Sequence, residues 1–184
     1  TVVLGSVGRL SREKEIDLFL NLIPTIKQEF PEFTFLVVGD GPESERLKKL
    51  TAELHIEDNV IFTGLRYDTK RIFNAIDCHI FCMRRPLLGI ANMQAMACGS
   101  PLVVLASLKA DTDMVSEFIE NGKNGYIARD AEEYKKMVLD ILRNPQKTMQ
   151  MGINARLVAE ERFDFKKHVL RVESLYLNLW KKER

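Results

Sequence analysis

Cysteine is scarce: Cys78, Cys82 and Cys98 are the whole supply in 184 residues. An odd count argues against a disulfide framework and fits a reducing compartment. Cys78 and Cys82 stand four apart in CHIFC. On a strand they share one face, while His79 points the other way. Zinc wants three or four converging ligands, so three buried thiols are the better reading and no metal is expected. Excess charge is also missing. The 27 Lys and Arg meet 26 Asp and Glu, for a formal net charge of +1. That gives no bulk electrostatic case for nucleic acid or a membrane surface. No apolar run approaches the ~20 residues needed to span a bilayer, and no signal-like segment opens the chain. The start at Thr1, without Met, suggests a piece of a longer protein. There is no repeat, low-complexity tract or internal linker. Neither GxGxxG nor GxxxxGK[ST] occurs, which disfavours nicotinamide cofactors and P-loop chemistry.

What is present alternates. TVVLGSVG, FTFLVVG (Phe33 to Gly39), NVIFTG, DCHIFCM, PLVVLA and NGYIA are short apolar runs bounded by Gly, Asn or Asp, and read as six buried strands. Between them stand helical patterns. Ile16, Phe19, Leu20, Ile23, Ile26 and Phe30 share one face, with a kink expected at Pro24. Pro42 sits near the start of a helix carrying Leu47, Leu50 and Leu54. A short helix runs from Asp68 to Ile76, and one of about ten residues follows DCHIFCM. Three more begin at Ala131, Gln146 and Phe165; the last bears Phe165, Val169, Val172, Leu175, Leu179 and Trp180 in an apolar stripe. Near-continuous apolar strands alternating with helices indicate α/β architecture: one doubly wound domain with a parallel sheet covered on both faces.

Such sheets bind ligands beyond the carboxyl ends of their strands, at the switch point. Gly8, Arg9 and Lys14 follow the first strand. Two cations beside a helix amino end suit an anion, since free N–H groups and the dipole already favour negative charge. Two solvated loop charges are the plainer alternative. GDGP after the second strand reads only as a turn.

VGRLSREK, FTFLVVGDGPESERLKKL, VIFTG, LLGIANMQAMACGSPLVV and EFIENGKNGYI follow one another along nearly the whole chain. In this order and spacing the sequence resembles the carboxyl-terminal, nucleotide-sugar-binding domain of retaining glycosyltransferases of the GT-B fold, family 4 (group 1). The resemblance implies a Rossmann-like half of a GT-B enzyme spanning residues 1–184, with a separate amino-terminal acceptor domain outside this chain. It implies that Arg9 and Lys14 hold the donor diphosphate and act in catalysis, with Gly8 beside them. Leu88, Gly89 and Ile90 would present backbone N–H groups to sugar and phosphate, with Gly89 permitting close approach. Thr63, Gly64 and Leu65 would lie against the base. The donor would be a nucleoside-diphosphate sugar, with no cofactor and no metal. The implied setting is cytoplasmic glycan or polysaccharide biosynthesis. The last helix would cross to the amino-terminal domain, and its basic end (Lys181, Lys182, Arg184) would offer peripheral membrane contact.

The sequence also departs from the family. Pro86 and Gln94 stand where the pattern has two glutamates, eight positions apart. Gln94 keeps the length of the ribose-binding glutamate but loses its charge, and charge-assisted hydrogen bonds are roughly twice as strong as neutral ones. Pro86 offers neither a polar side chain nor an N–H; Arg84 or Arg85 could lend charge only to phosphate. Asp113 and Met114 replace paired glycines, while Glu117 matches a family glutamate or is a plain helix-surface acid. Two functions stay open: a transferase domain stabilising the leaving diphosphate, inactive alone, and a catalytically silent homologue serving as partner or regulatory subunit. A GT-B epimerase lacks its acid/base histidine, since His55 and His168 lie in helices and His79 in a strand.

Overall fold

The computed structural model describes residues 1–83, 88–106 and 113–182. Among these residues six strands form one parallel sheet: β1 (Val2–Val7), β2 (Phe33–Val38), β3 (Val60–Gly64), β4 (Cys78–Met83), β5 (Leu102–Ala106) and β6 (Gly125–Ala128), in the order β3-β2-β1-β4-β5-β6. The order turns back between β1 and β4. The chain winds outward from β1 to β3, returns to the middle, and winds outward again to β6. This is the Rossmann-like topology that the alternation of apolar runs and helices implies.

The helices are α1 (Ile16–Glu29), α2 (Ser44–Glu53), α3 (Thr69–Asn74), α4 (Ile90–Ala97), α5 (Asp113–Ser116), α6 (Ala131–Arg143), α7 (Pro145–Arg162) and α8 (Phe165–Lys182). They cover both faces. Phe19, Leu20, Ile23 and Ile26 of α1, Leu47 of α2 and Tyr134, Val138 and Leu142 of α6 pack on one side against Leu4, Phe35, Cys78, Ile80 and Cys82. Ile72 and Phe73 of α3, Ala95 and Met96 of α4, and Ala155 and Ala159 of α7 pack on the other against Phe81, Leu102 and Val104. Period-2 alternation on β4 divides its side chains between the two cores. Fully burying a residue such as Phe19 contributes about 1.5–3 kcal/mol.

Several expectations need adjustment. Lys14 does not open α1: it ends a 3-10 turn, Arg12–Lys14, and Glu15 follows in a left-handed conformation (φ 44°) before α1 begins. The β1–α1 connection is therefore a separately shaped loop. Pro42 lies in the turn before α2, which begins at Ser44. Cys78 and Cys82 are buried, but Cys98, after α4, is half-exposed. Helix α6 opens on a reciprocal cap: Asp130 Oδ1 accepts from the Glu133 N–H at 2.8 Å, and Glu133 Oε2 accepts from the Arg129 N–H at 2.9 Å. Every described side chain of α8 is exposed, the whole apolar stripe included. Among the described residues, no helix is long and apolar enough to cross a membrane.

Candidate functional site

The loop after β1 is held by a network of backbone bonds. Gly8 N–H donates to Val38 O (2.9 Å), Leu10 N–H to Asp40 O (3.0 Å), and Glu43 N–H to Leu10 O (3.1 Å). Gly39 N–H donates to Gly64 O (2.9 Å), tying the end of β3 to the same rim. Gly39 has φ +134°, and a Cβ built on it would overlap the Gly8 carbonyl oxygen; one on Gly41 would overlap that of Leu10. GDG is thus more than a turn. It is the seat on which the Gly8–Leu10 loop rests, a role that local pattern alone does not disclose because the contact is with a distant segment. Side chains reinforce it: Glu43 accepts from Arg46 Nε at 2.5 Å and lies 4.0 Å from Arg12, and Arg46 also reaches Asp17 at 3.1 Å.

Gly8, Arg9 and Lys14 line one small crevice with Ser6, Val7, Ile16, Phe81 and Cys82. Arg9 is exposed and Lys14 half-buried. Lys14 Nζ lies 5.4 Å from the centroid of the Phe81 ring, within cation–π range. Neither cation forms an ion pair with a carboxylate among the described residues. Glu13 lies in the field of both; the Ser11 hydroxyl, which donates to it at 2.5 Å, is the larger cause of its lowered pKa. The crevice sits at the carboxyl ends of β1 and β4, where the strand order turns back, the usual ligand rim of an open α/β sheet.

On the β4 side, Gly89 is the N-cap of α4 with φ −73°, Leu88 is buried, and Ile90 is 74% exposed. Among the described residues nothing lies within 4 Å of a Cβ built on Gly89. The described residues therefore do not demand glycine there. Gln94 is exposed on α4, and Thr63 and Gly64 are half-buried at the end of β3, with Leu65 61% exposed beyond them. Asp113 opens α5, and Glu117 is exposed just after it. Pro86, Arg84 and Arg85 lie outside the described residues. Sequence reasoning missed Phe81, the platform under Lys14. Its signal in the sequence was a phenylalanine near the carboxyl end of the CHIFCM strand.

The family of Glycosyl transferases group 1 matches residues 1–158. An uncharacterized glycosyltransferase of Haemophilus influenzae is 28% identical over 158 residues, 85% of this chain and 44% of its own length. The N-acetyl-alpha-D-glucosaminyl L-malate synthase of Bacillus anthracis is 27% identical over 151 residues, 81% of this chain and 38% of its own. The crystal structure of Anabaena HepE in complex with UDP superposes with a TM-score of 0.85 at 25% identity, covering 97% of this chain and 49% of that one. HepE has also been solved with UDP-glucose. The chain spans less than half the length of each of these relatives.

Proposed function

Because the chain belongs to the group 1 glycosyl transferases, we propose that it is the carboxyl-terminal, donor-binding domain of a retaining, metal-independent glycosyltransferase of glycan or polysaccharide biosynthesis, acting in the cytoplasm. The observation that carries this reading is the crevice at the switch rim, where Arg9, Lys14 and Gly8 line one surface. Its donor is a nucleoside-diphosphate sugar, as the UDP and UDP-glucose complexes of HepE suggest. Arg9 and Lys14 hold the diphosphate and stabilise the negative charge that grows on it as the glycosidic bond breaks. The N–H groups of the α4 tip at Gly89 and Ile90 add to this. The fixed loop geometry means little reorganisation accompanies the reaction. Thr63 and Gly64 face the base, and Gln94 contacts the ribose. The acceptor and any base belong to an amino-terminal domain, which α8 reaches with its apolar stripe; peripheral membrane contact falls to the complete protein.

Calorimetric titration with UDP, GDP and ADP tests this. One of them should bind below millimolar, with EDTA making no difference. Arg9→Ala and Lys14→Ala should each weaken binding by about tenfold or more, since hydrogen bonds to charged groups contribute about 1.5–3 kcal/mol. Unchanged affinity in both variants removes the diphosphate assignment. A second reading, a catalytically silent homologue, is favoured by Pro86, which offers neither a polar side chain nor an N–H where the family pattern has a glutamate. Absence of binding at millimolar nucleotide, with the fold intact, would establish it over the first.

A further inference from the structure

Two buried residues beside the crevice carry polar atoms that find no hydrogen-bond partner among the described residues. His79, on β4, is fully buried, and both ring nitrogens are unpaired; Asn92, in the first turn of α4 and 1% exposed, leaves both amide atoms unpaired. Buried side-chain polar atoms are paired in the large majority of cases, with protein or with ordered water. The two residues are neighbours. Asn92 and the Gly5 backbone both act on the imidazole to favour its charged form, yet neither meets hydrogen-bond geometry with it. Aromatic rings enclose the imidazole otherwise, with Phe73 edge-on at 5.7 Å and Phe81 stacked at 6.4 Å and 24°. Phe81 in turn carries Lys14. A continuous column therefore runs from Lys14 through Phe81 and His79 to Asn92, in the helix turn capped by Gly89.

We propose that His79 and Asn92 share an internal water, and that this polar bridge sets the first turn of α4 against β4 beneath the crevice. The chemistry matches. A neutral imidazole offers one donor and one acceptor, and an Asn amide offers both kinds. A buried water typically makes about three bonds, and the Gly5 backbone is the remaining neighbour. Burial, with Lys14 adding to it, holds the His79 pKa down to about 4, so the ring is neutral at pH 7. In terms of the donor reading above, on which this part rests, His79 and Asn92 are positioning residues: they touch no ligand and act through Phe81 and the Gly89 turn.

NMR of the chain with ¹⁵N-labelled histidine decides the bridge. The His79 ring should be a single neutral tautomer at pH 7, should show cross-relaxation with a long-lived water, and should lose that contact in Asn92→Leu. A ring with no water contact, or one titrating near the free value of about 6.5, overturns it. Calorimetry with UDP decides the positioning role. Asn92→Leu and His79→Phe should weaken binding about three- to tenfold, the worth of a hydrogen bond, while Asn92→Ser, which keeps a hydroxyl for the water, should retain most of it. Wild-type affinity in both apolar variants ends the positioning role. If the unaltered chain binds no UDP, the donor reading fails and the positioning role falls with it, while the ring spectrum still decides the bridge.

Discussion

Lys14 Nζ stands 5.4 Å from the centroid of the Phe81 ring, so the cation after β1 rests on a side chain from β4. The two strands flank the point where the sheet order turns back, and the contact joins the two windings across it. Cation–π pairs contribute about 0.5–1 kcal/mol at exposed sites. Phe81→Leu keeps an apolar side chain but loses the ring face. Nucleotide affinity should fall about two- to fivefold by calorimetry, while lysine at position 14 still provides its charge.

Gly39→Ala should damage the site from a distance. The substitution demands a non-glycine residue at φ +134° and puts a methyl group into the Gly8 carbonyl. Strained backbone of this kind costs roughly 1–3 kcal/mol, and relief requires moving the Arg9 loop. Both the urea midpoint and nucleotide affinity should drop. A stable variant with full affinity would show that the loop does not depend on this seat.

Gly89→Ala should do the reverse. With φ −73° and open space around its Cβ position among the described residues, alanine fits the unliganded backbone, and the N-cap change costs about 1 kcal/mol or less. A ligand lying against the α4 tip would meet the new methyl group. A melting temperature lowered by no more than about 4 °C, with at least tenfold weaker nucleotide-sugar binding, is expected; equal affinity would place the ligand elsewhere.

The fold was legible because short apolar strands alternate evenly with amphipathic helices: all six strands and every described α-helix except the four-residue α5 follow from that pattern. Lys14 and Arg9 were legible as cations after a strand. Their support was not. Phe81 and the Gly39 seat act across more than 25 residues of sequence, where no local rule reaches, and the 3-10 turn at Arg12–Lys14 depends on a left-handed Glu15 that propensity disfavours. His79 looked like an ordinary strand residue because nothing in DCHIFCM shows that its neighbour is Asn92.

Stability should depend on pH through His79. Burial lowers its pKa to about 4, against about 6.5 when unfolded. Between those values the unfolded chain binds a proton that the folded chain refuses. The contribution is complete above about pH 6.5 and declines as pH falls toward 4, by up to about 3 kcal/mol. Denaturant titrations of the unaltered chain and His79→Phe should differ in slope over that window and run parallel above it.

Gln94→Glu should tighten nucleotide binding about fivefold if Gln94 meets the ribose, since a charged acceptor adds about 1 kcal/mol to a neutral hydrogen bond. Gln94 is exposed on α4, so the substitution should leave thermal stability within about 0.5 kcal/mol. No gain in affinity would detach Gln94 from the ribose.

Helix α8 has no described side chain buried against the body of the protein. Its eighteen residues are held to the rest by surface contacts such as Lys167 Nζ to Glu160 O (3.1 Å), and a helix with so little burial holds together only weakly in water. The isolated polypeptide therefore has two melting regimes. Far-ultraviolet ellipticity will begin to decay well below the calorimetric peak, and deuterium will enter the amides of α8 long before those of α6. Trypsin will cut first beyond Arg162, and the trimmed product will unfold at the same temperature as its parent.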